Sequence, residues 1–161
     1  MKRLIIISLA LFAAFFAHSK IVFSESNVMS MLTKHNAKAL SGDTSACDAY
    51  SNDVEVELTA EDLKGRWEVE GGKEELCGYL KQASAALTLL QASVSSEFSD
   101  VSISRSRFPW VTAVVNYTMH TSIAAAHIPQ IKSISHDEVT ISRSITGLKI
   151  IKLKSTSKSG V

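Results

Sequence analysis

The residues able to do chemistry fall into three groups. His120 lies in a run that reads as a long strand, and a histidine at a cavity mouth can pass protons near neutral pH. Asp53 precedes the strand pattern Val54 to Leu58 and Glu57 lies within it, and both offer carboxylates for general acid/base work. Tyr50, Trp67, Tyr79 and Tyr117 carry rings with a polar tip, which suits an amphipathic ligand as well as a core. Arg105 and Arg143 stand apart. Arg105 shares its strand parity with Val101 and Ile103, and Arg143 shares its own with Val139, Ile141 and Ile145. If those apolar sets face inward, two guanidinium forks suited to carboxylate or phosphate lie on a concave side. The alternatives stay open: a dimer interface or solvent-reaching strand ends for the arginines, a surface or hydrogen-bonded core position for the histidine.

Other chemistries lack their residues. His35, His120, His127 and His136 show neither HxH nor HExxH spacing, and no histidine brackets Cys47 and Cys77, so no metal site is expected. There is no GxSxG elbow and no glycine-rich phosphate loop, and no cofactor is expected.

The elements that must position these groups follow from periodicity. Val28, Met31, Leu32, His35 and Ala39 recur at helical spacing and predict a helix from Asn27 to Leu40, with Ser26 or Asn27 as cap and Gly42 after its end. A short helix is expected from Thr44 to Tyr50. Val54 to Leu58 alternates as a strand, with Glu55 and Glu57 on its other side. A polar turn at Glu61 to Gly65 leads to a short strand, Arg66 to Glu70. After Gly71-Gly72, the stripe Leu76, Leu80, Ala83, Leu87 and Leu90 predicts a long helix from Lys73 to Gln91. Long strands are then expected over Val94 to Phe108, Trp110 to Ala124 and Gln130 to Thr146, closed by Leu148 to Ser155, with 156–161 as a flexible tail. Helices followed by consecutive strands give an α+β fold, with helices on one face of a curved antiparallel sheet.

The N-terminus reads as an address. Lys2 and Arg3 precede an apolar run, Leu4 to Ala17, and Ala17-His18-Ser19 fits a small-x-small cut. Residues 1–19 are therefore expected to be a signal peptide, cleaved after Ser19 or alternatively after Ser24, with an uncleaved anchor as the other reading. The rest, about 140 residues, makes one domain over 25–155. Of 17 basic and 16 acidic residues, the cut removes two basic ones, leaving a near-neutral chain with no electrostatic case for nucleic acid or membrane as partner. An even cysteine count in an exported chain reads as a Cys47–Cys77 disulfide.

Three segments carry a family resemblance: GDTSACDAYSNDVEVEL (42–58), GGKEELCGYL (71–80) and VTISRSITGLKIIKLKS (139–155). In order and spacing the chain resembles the nuclear transport factor two-like superfamily, which includes the ketosteroid isomerases and SnoaL-like cyclases. The resemblance implies a cone whose open end holds a small, largely apolar ligand. It also implies a general base just past the first strand. Lining up Tyr50 and Asp53 puts that position at Leu58, which accepts no proton. Glu57 should face the opposite side unless a one-residue bulge redirects it. The expectation is an exported, periplasmic or secreted, cone without a proton-taking carboxylate, binding a small amphipathic or anionic molecule or a protein partner, with a homodimer possible. The alternatives are an isomerase, dehydratase or cyclase using His120, Glu57 or Asp53, and a structural subunit of an envelope complex.

Overall fold

A computed structural model describes residues 2–62, 65–126, 128–144 and 147–160. The apolar N-terminal run forms helix α1, Lys2–Val22, and a two-residue break leads into α2, Glu25–Ser41. The hydroxyl of Ser24, not of Ser26, accepts the Asn27 amide and caps α2. Gly42 ends it in the left-handed region at φ 74°, where a Cβ would also press on Ser84. Thr44–Ala49 is a 3-10 helix rather than an α-helix, capped by Asp43, and Tyr50 already belongs to strand β1, Tyr50–Asp62. Seven residues, Asp43 to Ala49, separate the glycine cap from β1, and 3-10 winding is common in such short connectors. Strand β2, Gly65–Gly71, returns antiparallel to β1. The expected turn between them includes Leu63 and Lys64, which lie outside the described residues.

Helix α3, Lys73–Leu89, starts where the Glu75 carboxylate accepts the Gly72 amide at 2.9 Å. Its expected stripe is buried at Leu76 and half-buried at Leu80, Ala83 and Leu87, whereas Leu90 caps the helix and is exposed. Strands β3, Ser93–Arg105, β4, Thr112–Ala125, β5, Ile128–Ser144, and β6, Gly147–Gly160, follow. His127, Ile145 and Thr146, named at the strand ends above, lie outside the described residues.

The six strands form one curved sheet in the order β2-β1-β6-β5-β4-β3. All neighbours are antiparallel except β1 and β6, which run parallel. That pairing corrects the expected flexible tail. Residues 156–160 belong to β6; Thr156 to Lys158 pair with β1 on one side and Thr156 to Gly160 with β5 on the other, so the backbone groups of Ser/Lys-rich residues are used twice.

The helices cover the concave face, where Val28, Leu32, Val56, Leu76, Val115 and Ile141 are among the core residues. Phe23, at the α1–α2 break, is fully buried with them. The disulfide Cys47–Cys77 ties the 3-10 helix to α3. The convex face is a charge ladder: Glu55, Glu57 and Glu61 of β1 sit opposite Lys152, Lys154 and Lys158 of β6, paired at 3.1–3.3 Å.

Candidate functional site

A cavity of about 180 Å³ lies between α2, α3 and the concave sheet face. Its walls are mostly apolar, with Leu32, Leu58, Leu76 and Val139 among them, and its polar lining comes from few groups. One rank of paired residues crosses the sheet floor. Leu58 of β1 is opposite Ser155 of β6, Ser155 is opposite Asp137 of β5, and Asp137 is opposite Tyr117 of β4. Directly paired residues share a face, so all four look into the cavity.

Asp137 is the carboxylate that the expected base-free cone was not supposed to hold. It is only 6 % exposed and accepts the Ser135 hydroxyl at 2.8 Å. Burial pushes its pKa above the ordinary carboxylate range, while hydrogen bonds from Ser155 and Ser135 and the nearby His136 hold it back. Tyr117 packs its ring edge-on against Phe98 at 5.3 Å; burial first and the Asp137 charge second push its hydroxyl up, so it remains a donor.

A second polar pair enters from the helix side. His35 Nε2 and the Tyr50 hydroxyl are 2.7 Å apart, their rings perpendicular at 4.9 Å. Burial is the main cause that lowers the His35 pKa, opposed by the Ala46 backbone and assisted by Lys38. A neutral imidazole accepts from the Tyr50 hydroxyl through Nε2. Its buried Nδ1 has no hydrogen-bond partner among the described residues. Burial likewise pushes the Tyr50 hydroxyl up, which keeps the donor proton on it.

The other expected site residues are spread out. Tyr79 lines the cavity at its rim, and Trp67 stands beside it, rings 6.3 Å apart, on the edge strand and outside the lining. Glu57 faces the convex side, where hydrogen bonds from Lys154 and Lys152 hold its pKa down. No bulge turns it inward: the β1–β6 irregularity falls between Tyr50 and Glu55, and the register is regular from Glu55 on. Asp53 is exposed and accepts the Ser51 hydroxyl. His120 is exposed on the convex side, opposite Glu97 and Ile134.

Arg105 and Arg143 are on the concave side of their strands but do not reach the cavity. Arg105 donates to the Phe23 carbonyl at 3.1 Å. Arg143 donates to His18 Nδ1 at 3.1 Å and lies over the Phe15 ring, 4.6 Å from its centre. Both therefore hold the α1 end of the molecule.

Asp137 and His35 were missed by reasoning on sequence, yet both had a signal. Asp137 shares the β5 parity of Val139 and Ile141, the same parity that singled out Arg143. His35 stands in the apolar stripe of α2.

No family model matches the chain, and no curated protein matches it by sequence. Solved structures do. A protein from Novosphingobium aromaticivorans described as NTF2-like with a cystatin-like fold superposes with TM-score 0.65 at 12 % identity, over 87 % of this chain and 85 % of that one. A second protein of that organism, proposed to be a scytalone dehydratase, gives 0.68 at 11 %, over 89 % and 90 %. The beta subunit of benzoate 1,2-dioxygenase from Burkholderia mallei gives 0.66 at 12 %, over 84 % and 91 %. The fold is the nuclear transport factor two-like, cystatin-like one. At these identities the likeness carries the cone and not its chemistry. The nuclear transport factor two-like cone of this chain therefore has to be read from its own lining.

Proposed function

We propose that the cone binds a small, uncharged, mostly apolar molecule bearing at least one oxygen. The observation that carries this reading is the convergence of Tyr50, Tyr117 and Asp137 on one apolar cavity. Few polar groups in an apolar pocket fix orientation, and the rest supplies burial. A volume of about 180 Å³ is below the usual ligand range of ~300–1,000 Å³, which points to a single-ring compound rather than a fused polycycle. Export and an oxidising compartment belong to the same reading, supported by the apolar α1 and the Cys47–Cys77 bond. Native mass spectrometry of the protein purified from its own host tests it. A retained small molecule lost in Asp137→Asn and in Leu58→Trp supports the proposal. Retention by both variants rejects it.

A second reading, acid/base turnover of that molecule, is favoured by one observation: two groups in one cavity are shifted in opposite directions, Asp137 up and His35 down. In this reading the Asp137 carboxylate takes a proton next to a carbonyl, and the Tyr117 hydroxyl on the neighbouring strand donates a hydrogen bond to the developing oxyanion. Small cyclic enones in deuterated water provide the assay. Exchange next to the carbonyl that is abolished in Asp137→Asn selects the enzyme; binding without exchange selects the binding module.

A further inference from the structure

A larger hollow of about 760 Å³ lies behind the cone, between the end of α1, α2, the 3-10 helix, the end of β5 and the start of β6. Its charged lining is one-sided. Lys34 and Lys38 project from α2, Arg143 from the end of β5 and Lys149 from the start of β6, against the single carboxylate of Asp48. The whole chain, by contrast, carries a net charge of only +1. Acidic partners have been spent elsewhere, since the ion pairs of Lys152, Lys154 and Lys158 are all on the convex ladder. Among the described residues none of the four hollow-lining cations forms a close ion pair with a carboxylate; Asp43 acts on Lys38 only at longer range.

Their geometry is set rather than loose. Lys149 donates to the Asp48 backbone carbonyl, which anchors it to the 3-10 helix without neutralising it. The Arg143 backbone is fixed too, its amide donating to the Val111 carbonyl at 2.8 Å. Lys34 and Lys38 are four residues apart on one helix face, an arrangement that repels unless an anion intervenes. Between the cations the floor is apolar, from Val22, Met31, Ala49 and Leu148. His35 closes the hollow toward the cone and lines both cavities.

We propose that this hollow is a second binding site, separate from the cone, for a small organic anion: a carboxylate- or phosphate-bearing molecule with an apolar body. The cationic rim holds the anionic group; Arg143, with one Nη already donating to His18, adds its charge and its remaining N–H donors. The apolar floor takes the body. The proposal does not rest on the reading of the cone.

Phenyl phosphate is the probe, with phenol as its uncharged counterpart, measured by calorimetric titration at low salt on the purified protein. Phenyl phosphate should bind and phenol should not, and affinity should fall as salt rises. Lys34→Glu and Lys38→Glu lie on the exposed face of α2 and leave the core intact. Each should weaken phenyl phosphate about tenfold, the step that corresponds to ~1.4 kcal/mol. Lys132→Glu makes the same charge change outside the hollow and should shift affinity by no more than about twofold. The proposal is overturned if phenyl phosphate does not bind, if phenol binds equally well, or if Lys132→Glu matches the α2 variants. It is also overturned if Asp137→Asn removes binding while Lys34→Glu does not, because the probe would then sit in the cone.

Discussion

Where the folded domain begins can be decided by cutting it at two places. Cleavage after Ser19 would leave Lys20 first; cleavage after Ser24 would leave Glu25 first. The second cut removes Phe23, which has no exposed surface and packs in the core. Loss of a fully buried phenylalanine costs about 3–5 kcal/mol. It also removes the carbonyl that accepts from Arg105, a charged hydrogen bond of the ~1.5–3 kcal/mol class, and Ser24, whose hydroxyl caps α2. The first cut removes much less from the domain. The Ser19 hydroxyl bond to the Trp110 carbonyl is a neutral one, about 0.5–1.5 kcal/mol, and the contacts of Phe12 and Phe16 with Trp110 lie on a mostly exposed helix. The Glu25 chain should therefore be less stable than the Lys20 chain by about 5 kcal/mol, as much as the entire stability of a marginal domain. Urea unfolding followed by tryptophan fluorescence measures the difference. Equal midpoints would refute the reasoning, because Phe23 would then not be part of the working core.

Three other outcomes follow from the packing. Replacing Cys47 and Cys77 by Ala frees a loop of 30 residues and should cost roughly 3–4 kcal/mol in the chain-entropy model, read as a lower urea midpoint that reductant reproduces in the parent protein. Tyr50→Phe strands His35 Nε2 in a buried site and should cost about 1–3 kcal/mol, whereas Lys154→Gln on the exposed ladder should cost under about 1 kcal/mol. The two shifted groups act oppositely in one window between the ordinary carboxylate and imidazole ranges: the raised Asp137 pKa gives a contribution present below the ordinary carboxylate range and lost as pH rises through its folded value, and the lowered His35 pKa gives one present above about 6.5 and lost as pH falls through its folded value. In a stability–pH series Asp137→Asn should leave the His35 loss uncompensated and steepen the fall of stability as pH drops below about 6.5; an unchanged profile would count against a buried Asp137.

Much of the architecture was legible because period and burial coincide. Val54, Val56 and Leu58 alternate with Glu55 and Glu57, and the structure puts the first set inside and the second on the convex ladder. The α2 stripe and the Cys47–Cys77 bond were legible for the same kind of reason, an apolar face and a paired count. The parallel β1–β6 pairing was not. It depends on a contact between strands about a hundred residues apart, and Ser/Lys-rich residues after Ser155 look like a frayed end unless both neighbouring strands are known. The lining of the cavity was partly legible: Tyr50, Tyr79 and Tyr117 line it, but Arg105 and Arg143 share concave parity while sitting at strand ends against α1. Parity fixes a face, not a height along the cone.

Leu58, where the family resemblance leads one to expect a base, and the buried carboxylate of Asp137 share one setting. Both lie in the same rank of the sheet, separated by Ser155 on the strand between them. Neighbouring strands are spaced ~4.8 Å apart, so the two positions are about 10 Å apart at one depth of the cone. A ligand seated over that rank can meet a carboxylate from the β5 side as readily as from the β1 side, provided its reacting or recognised atom is turned accordingly. Leu58 gives an apolar wall on the β1 side, and Tyr117 flanks the carboxylate on the far strand. Restoring the other arrangement by Leu58→Asp together with Asp137→Leu tests whether position or mere presence matters. Recovery of ligand retention in the double exchange would show that the cone needs only a carboxylate at that depth; its loss would show that the ligand is held by the β5 geometry with Tyr117.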